Sequence, residues 1–312
     1  MSDRLKNLRI VDPVLTNLAQ GYHNNQLVGE ILMPVVEIEK EVGKVPVFGR
    51  EAFKVRETIR QIRNPSNRMV PEDISTTDVN LDEHDLEYPI DYREDREAAF
   101  PLKRYALSVV QDSMALKRET QVAALALNEA NYDATNKMVL SGTSQFSDNT
   151  SDPFGVFDDA ITAIKRSIGR SPNVCVIPAN VWKELKTHPA LIDKIKYVQK
   201  GILTPDSFAE LVGLDKVAIG AATYMDTSDQ LQDIWKNHIV IAYSALKSGG
   251  EKGTIYEPSY GYSVRRQGSL KVDTYVENGG KIELIRCTDI IKPHLLGKAA
   301  GFLIKDCVAT GA

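Results

Sequence analysis

Histidine and cysteine, the side chains that most often bind metals or act as nucleophiles, are scattered along this chain. The histidines are far apart in sequence, at His23, His84, His188, His238 and His294. The cysteines are odd in number and widely spaced, at Cys175, Cys287 and Cys307. Paired histidines or closely paired cysteines would indicate a metal site, and an even cysteine set would indicate disulfides. The sequence therefore predicts no metal site, no disulfide framework and no cofactor.

Motifs for phosphate binding and nucleophilic catalysis are also missing. The glycine-rich stretch at 249–253 lacks the ending of a P-loop, and no Gly-x-Ser-x-Gly elbow occurs. Cys175 lies in an apolar run, which favours a core position over a nucleophile. The acidic residues of 72–95 lack the order of a calcium-binding loop. We therefore expect a protein that is not an enzyme.

Length and composition indicate a folded protein without a membrane span. The chain has 312 residues, of which 43% are hydrophobic and 26% charged, and its net charge is -4. Nucleic-acid-binding domains are usually basic, so sequence-specific DNA binding is not expected. No run approaches the roughly 18 apolar residues of a membrane helix. The first residues lack the apolar centre of a signal peptide, so we expect synthesis in a reducing cytosol.

A long helix over residues 102–136, here called the spine helix, is the strongest structural signal. Pro101 precedes it, and strong helix formers continue without glycine or proline to Asn136. A helix of this length would be a rod of roughly 45–50 Å, at about 1.5 Å per residue. Its apolar stripe is predicted to comprise Leu102, Tyr105, Val109, Leu116, Ala123, Leu127 and Ala130.

The sequence of residues 36–95 predicts an extended β-hairpin loop with few core residues. Its first half, from Lys44 to Arg68, is basic, and its second half, from Glu72 to Asp95, is acidic. Such charge segregation suits docking between subunits, and the alternative is that the two halves pair with each other. The candidate inter-subunit contact residues are Lys54, Arg56, Arg60, Arg63 and Arg68.

Three further segments complete the predicted organisation. Residues 1–35 predict a partly extended arm with a short helix near 13–20. Residues 154–245 alternate strands and helices, which indicates a compact α/β unit. Its first helix is predicted near Val156–Ser167, after Asp152-Pro153, and Gly169 can end it. Beyond it, Asn278-Gly279 is a strong hairpin signal, and an apolar strand is expected at 301–304.

This order of elements resembles the major capsid proteins of tailed bacteriophages, which have the Hong Kong 97-type capsid fold. The local phrases that resemble that family are DPVLTNLAQGY, VIPANVWKELKTHPALIDKIKY, GYSVRRQG and HLLGKAAGFLIKD. The resemblance implies an α+β fold with five parts. They are an N-terminal arm (1–35), the extended β-hairpin loop (36–95), a peripheral domain with the spine helix (96–153), an axial domain (154–260) and C-terminal strands returning to the peripheral domain (261–312).

The resemblance also implies a function. Hexamers and pentamers would form an icosahedral shell around double-stranded DNA, assembled in the bacterial host cytoplasm and retained as the virion capsid. Scaffolding, portal and decoration proteins are the implied partners, with no sequence-specific contact to the DNA and no membrane. Two alternatives stay open. One is an encapsulin-like cellular shell protein, and the other is an oligomeric α/β enzyme that uses the β-arm for oligomerisation.

Overall fold

The computed structural model describes residues 27–47, 55, 57–63, 65–68, 75–99, 101–195, 203–245 and 259–309. The helices in these ranges are α1 (Gly29–Leu32), α2 (Tyr92–Glu97), α3 (Leu102–Ala126), α4 (Pro153–Ile168), α5 (Ala179–Leu185), α6 (Pro189–Ile195) and α7 (Pro205–Val212). The strands are β1 (Val35–Ile38), β2 (Val42–Val47), β3 (Ser75–Asn80), β4 (Asp82–Asp91), β5 (Lys137–Val139), β6 (Val174–Pro178), β7 (Lys216–Gly220), β8 (Thr223–Met225), β9 (Leu231–Asp233), β10 (Ile239–Ala242), β11 (Gly261–Arg266), β12 (Lys271–Glu277), β13 (Ile282–Leu295) and β14 (Gly301–Lys305).

The long strand β13 is the centre of the first sheet. It pairs antiparallel with β4, β11 and β12, and β11 pairs parallel with β1. Apolar residues of this sheet, including Val272 and Ile285, pack against Ala106, Leu107 and Val110 of α3. The first half of α3 is therefore held on the first sheet by hydrophobic burial.

The second sheet has the strand order β5-β14-β10-β6-β7. Successive side chains of a strand point to opposite faces. Cys175 and Ile177 accordingly pack on the side of α4 and α7, while Val174 and Val176 pack on the side of α1 and α3. Because helices cover both faces, every residue of β6 is buried, which explains its continuous apolar sequence.

The predicted stripe of the spine helix is correct only in part. Ala123 is buried, and Leu102, Leu116 and Leu127 are half-buried against the core. Tyr105, also predicted to be in the stripe, is 48% exposed. The buried positions of the helix are Ala106, Leu107, Val110, Gln111, Glu119, Val122, Ala123 and Ala126. The first of these face the first sheet and the last face the second, so the buried side of α3 changes along its length.

The spine helix is also shorter than predicted, because it ends at Ala126 rather than Asn136. Asn128 Oδ1 accepts a hydrogen bond from the Ala130 backbone N–H at 3.0 Å, and Asn131 Nδ2 donates to the Leu125 carbonyl at 2.8 Å. Such bonds compete with the helical backbone pattern. The chain continues in two short 3-10 turns instead.

The elements predicted for the α/β unit are present as β6, α5, α6, α7, β7 and β10. The helix predicted near Val156 is α4, which begins after Asp152 and is followed by Gly169 in the left-handed conformation. The predicted hairpin at Asn278-Gly279 joins β12 to β13, and both of its residues have positive φ. The expected final strand is β14, which lies in the second sheet.

Residues 36–95 separate into two parts. β2 and β3 form an antiparallel ribbon in which Lys44 lies opposite Asp78. Val45 and Val79 at its base pack with Tyr262 and Val264 of β11. β4 follows β3 in the chain, and every residue of β4 pairs with β13. The short helix predicted near 13–20 lies outside the described residues. None of the described helices has the length and apolarity needed to cross a membrane.

Candidate inter-subunit surface

The predicted contact residues that fall in the described ranges are all exposed. Arg60, Arg63 and Arg68 lie in the connection between β2 and β3, whereas Lys54 and Arg56 lie outside the described residues. Arg63 has a φ of 71°, in the left-handed region. Asn67 Nδ2 donates to the carbonyl oxygens of Glu57 at 3.1 Å and Ile59 at 3.0 Å, so this part of the loop folds back on itself. These arginines are therefore displayed on a turn.

Apolar side chains accompany these arginines, and sequence reasoning missed them. Val55 is 97% exposed, Ile59 79% and Ile62 91%. Large apolar side chains that are this exposed and this close together in sequence mark interaction surfaces. The sequence does carry a signal for this apolar surface, because valine and isoleucine alternate with arginine there. Arginine and apolar anchors together are typical of binding hot spots.

Several acidic side chains in the second half of residues 36–95 bind to partners within the subunit. Asp82 forms an ion pair with Lys292 Nζ at 3.0 Å. Asp85 Oδ1 accepts a hydrogen bond from Thr288 Oγ1 at 3.0 Å. Glu87 Oε2 accepts from the Tyr275 hydroxyl at 2.5 Å, and this bond raises the pKa of Tyr275 to about 12. These three acids therefore help to hold β4 on β13, and Glu87 also reaches β12 on the far side of β13.

Glu119 fixes the chain that precedes β1 to α3. Its side chain accepts hydrogen bonds from the backbone N–H groups of Val28 at 3.1 Å and Gly29 at 2.8 Å, and from Trp235 Nε1 at 2.8 Å. Burial raises the pKa of this carboxyl, and the three donors and nearby Arg118 oppose that shift. A Cβ at position 29 would lie 2.7 Å from Oε2, so the site needs glycine there.

Ser151 and His188 lie in the geometry of a nucleophile and its base, but their hydrogen bonds exclude that role. His188 Nε2 is 3.0 Å from Ser151 Oγ and 3.0 Å from the Asp148 carbonyl. His188 Nδ1 accepts from the Ala190 backbone N–H. The neutral ring therefore carries its proton on Nε2, which donates and cannot receive the serine proton. His188 is a helix-end residue that holds the loop before α4.

The cysteines belong to the core. All three are buried and unpaired. Burial raises the pKa of all three thiols, to about 12 for Cys287 and Cys307, so each stays protonated and unreactive. The core position predicted for Cys175 is confirmed. Within the described ranges, no three histidine, cysteine or acidic residues are grouped to hold a metal ion.

Solved structures of similar fold include a phage-related protein and a virus-like particle. A crystal structure of a phage-related protein from Bordetella bronchiseptica RB50 is 29% identical, with a TM-score of 0.80 over 96% of this chain and 98% of that one. The virus-like particle from Pyrococcus furiosus is 11% identical, with a TM-score of 0.58 over 94% of this chain and 97% of that one. At this low identity, the similarity supports a shared fold and nothing more. The fold is that of a Hong Kong 97-type capsid protein.

Sequence similarity then identifies the family. The profile of the family described as "Phage major capsid protein E" matches residues 13–269. The major capsid protein of Burkholderia phage BcepMu is 53% identical over 301 residues, which is 96% of this chain and 98% of that protein. The chain belongs to the phage major capsid protein E family, and the resemblance predicted from the sequence is confirmed.

Proposed function

We propose that copies of this chain assemble into hexamers and pentamers that close an icosahedral shell around the double-stranded DNA of a tailed phage. The observation that carries this proposal is the exposure of Val55, Ile59 and Ile62 beside Arg60 and Arg63 in a single subunit. Burying these side chains on a neighbouring copy would remove apolar surface from water. Repetition of one such heterologous contact generates rings.

The parts of the chain have distinct roles in this proposal. The loop of 36–95 reaches over a neighbour, with Lys54, Arg56, Arg60, Arg63 and Arg68 at the contact. Residues 96–153 and the returning strands of 261–312 form the peripheral domain, and residues 154–260 form the axial domain at the five- or six-fold centre. In support of the peripheral part, the first half of α3 shares one apolar cluster with β12 and β13. β5 and β14 instead pair into the second sheet with the axial strands β6, β7 and β10.

The shell is a structural assembly with no catalytic role for the subunit. Scaffolding and portal proteins, and a decoration protein, are its expected partners during assembly in the host cytoplasm. The net charge of -4 suits a wall that encloses DNA already condensed with counterions and makes no sequence-specific contact.

The phage origin of a 53% identical relative and the contacts of His188 favour this proposal over the two alternatives. The encapsulin-like alternative shares the fold, but the relative that is 53% identical over nearly its whole length is a phage major capsid protein. The enzyme alternative would need a base that can take a proton from a nucleophile. His188 cannot do this for Ser151, because its Nε2 donates and its Nδ1 already accepts a hydrogen bond.

Electron microscopy of the purified protein, with and without co-expressed phage genes, tests the proposal. Closed shells, or rings of five and six subunits, are the expected result. Small discrete oligomers in both conditions would overturn the proposed assembly.

A further inference from the structure

A groove of about 650 Å³ runs along the second half of α3. Its floor is apolar and is formed by Leu116, Ala123, Leu127, Tyr224 and Ile234. Exposed Lys117 and Lys236 lie on its rim. Grooves with an apolar floor and a polar rim accept amphipathic helices, which place their apolar face on the floor.

The chain enters this region from its N-terminal side. Leu27 and Val28 pack in the same apolar cluster as the floor residues Leu116 and Leu127. The amides of Val28 and Gly29 are held by Glu119, which is three residues after Leu116 and four before Ala123 on α3. Positions three and four apart are neighbours on a helix. The residues before Leu27 therefore begin beside the groove.

A segment with matching chemistry lies within reach. Val14, Leu15 and Leu18 have the i, i+1, i+4 spacing of one helix face, and the apolar Val11 comes shortly before them. Asp12 followed by proline is a helix start, and its carboxylate complements the lysines of the rim. Residues 19–26 connect this segment to Leu27. Fully extended, they span at most about 26–29 Å, against roughly 22 Å for the length of α3 along the groove.

We propose that residues 11–18 bind in the α3 groove of the same subunit, with a short helix that begins at Pro13. The short connection gives the segment an effective concentration in the millimolar range at its own groove, which favours it over the segment of another copy. Because it concerns one folded subunit, this inference goes beyond shell assembly and does not depend on it.

Amide hydrogen exchange on the full-length protein tests occupancy of the groove. The amides of residues 16–18, which have acceptors within the helix, should exchange at least about tenfold more slowly than those of an unstructured peptide. Ala124 lines the groove and is exposed, so Ala124→Trp should fill it and abolish the protection while the subunit stays folded. Arg104→Trp is the control, because Arg104 is exposed on the first turn of α3. Unprotected residues 16–18 in the parent, or equal protection in Ala124→Trp, would overturn the proposal.

Disulfide trapping tests whether the groove is that of the same subunit. Cysteine would replace Val11, Val14, Leu15 or Leu18 in turn, each combined with Ala124→Cys, and the proteins would be oxidised and analysed without reductant. A disulfide within one chain, in at least one of the pairs, is the expected result. Disulfide-linked dimers without the intrachain product would place the segment on a second copy and refute the proposal, and so would the failure of all four pairs to form a disulfide.

Discussion

Trp235 donates its indole N–H to Glu119 at 2.8 Å, and this bond joins the segment before β10 to the middle of α3. The same carboxylate holds two backbone amides of the residues before β1. One side chain that is 4% exposed therefore connects three segments that are distant in sequence. Such buried networks are costly to break, because each donor left without an acceptor keeps its desolvation penalty.

Glu119→Ala should lower the free energy of unfolding by about 3 kcal/mol or more, because it leaves buried N–H groups unsatisfied. Urea denaturation of the purified subunit measures this change. Glu184→Ala, at a half-buried surface position, is the matched control and should change stability by less than about 0.5 kcal/mol. Equal stability of the two variants would contradict the role assigned to Glu119.

The stability contributed by Glu119 should depend on pH in a defined direction. Burial raises the pKa of this carboxyl above its ordinary value of 4.5. The folded protein therefore binds the proton more tightly than the unfolded chain does, and the stability gained is fully present below pH 4.5.

That contribution is lost as the pH rises through the raised pKa. The difference in unfolding free energy between the parent and Glu119→Gln should therefore fall with rising pH above 4.5 and then level off. Its slope cannot exceed about 1.4 kcal/mol per pH unit for one group. Denaturation of both proteins across this range measures it, and a difference that grows with pH would be inconsistent with the assigned environment.

Gly301→Ala should destabilise the subunit by about 1–3 kcal/mol, since a Cβ there would overlap the ring of Tyr260. Gly43→Ala is the control, because a Cβ at that strand position would meet only Ile38 at an ordinary 3.8 Å. The two melting temperatures should differ by several degrees. Similar melting temperatures would indicate that the Tyr260 ring moves aside without cost.

Asn136→Ala should cost about 2–3 kcal/mol, because this fully buried side chain donates to the carbonyls of Ala299 and Gly301, both at 3.0 Å. Its Oδ1 also accepts from Ser167 Oγ at 3.1 Å, which links α4 to the turn before β5. Asn80→Ala, at an exposed position at the end of β3, is the comparison and should be near neutral. Chemical denaturation distinguishes them, and a neutral Asn136→Ala would show that water or a neighbour replaces the amide.

Substitution of the loop tests the proposed docking. Changing Arg56, Arg60 and Arg63 to Glu should leave a folded subunit and reduce shell yield, because attraction to the neighbour becomes repulsion. Ile59→Ser with Ile62→Ser should have the same effect through loss of apolar burial. Met225→Ser, at another exposed apolar position, is the control. Electron microscopy and sedimentation measure shell yield, and normal shells from both loop variants at physiological salt would refute the contact.

Local sequence signals predicted the elements whose ends are set by local chemistry. Asp152 and Gly169 bound α4, and Asn278-Gly279 turns β12 into β13. The phase of α3 was not predictable in the same way, because its buried side follows two different sheets. Its end was missed because it depends on the side-chain bonds of Asn128 and Asn131, which helix propensities do not include.

The candidate site was predictable only in part. The charges of Arg60, Arg63 and Arg68 indicated an exposed basic loop, and all three are exposed. Their docking partner is a property of a second copy, which one sequence does not specify. Glu119 gave no sequence signal at all, because an acid among Lys117 and Arg118 on a helix usually faces solvent.

The packing of α3 on both sheets has a mechanical consequence. A continuous helix of 25 residues resists bending, so the two sheets cannot tilt against each other without breaking its contacts. We therefore expect the two sheets of one subunit to move together. In the proposed shell, differences in curvature would then be taken up at the contacts between subunits, including any made by the ribbon of β2 and β3.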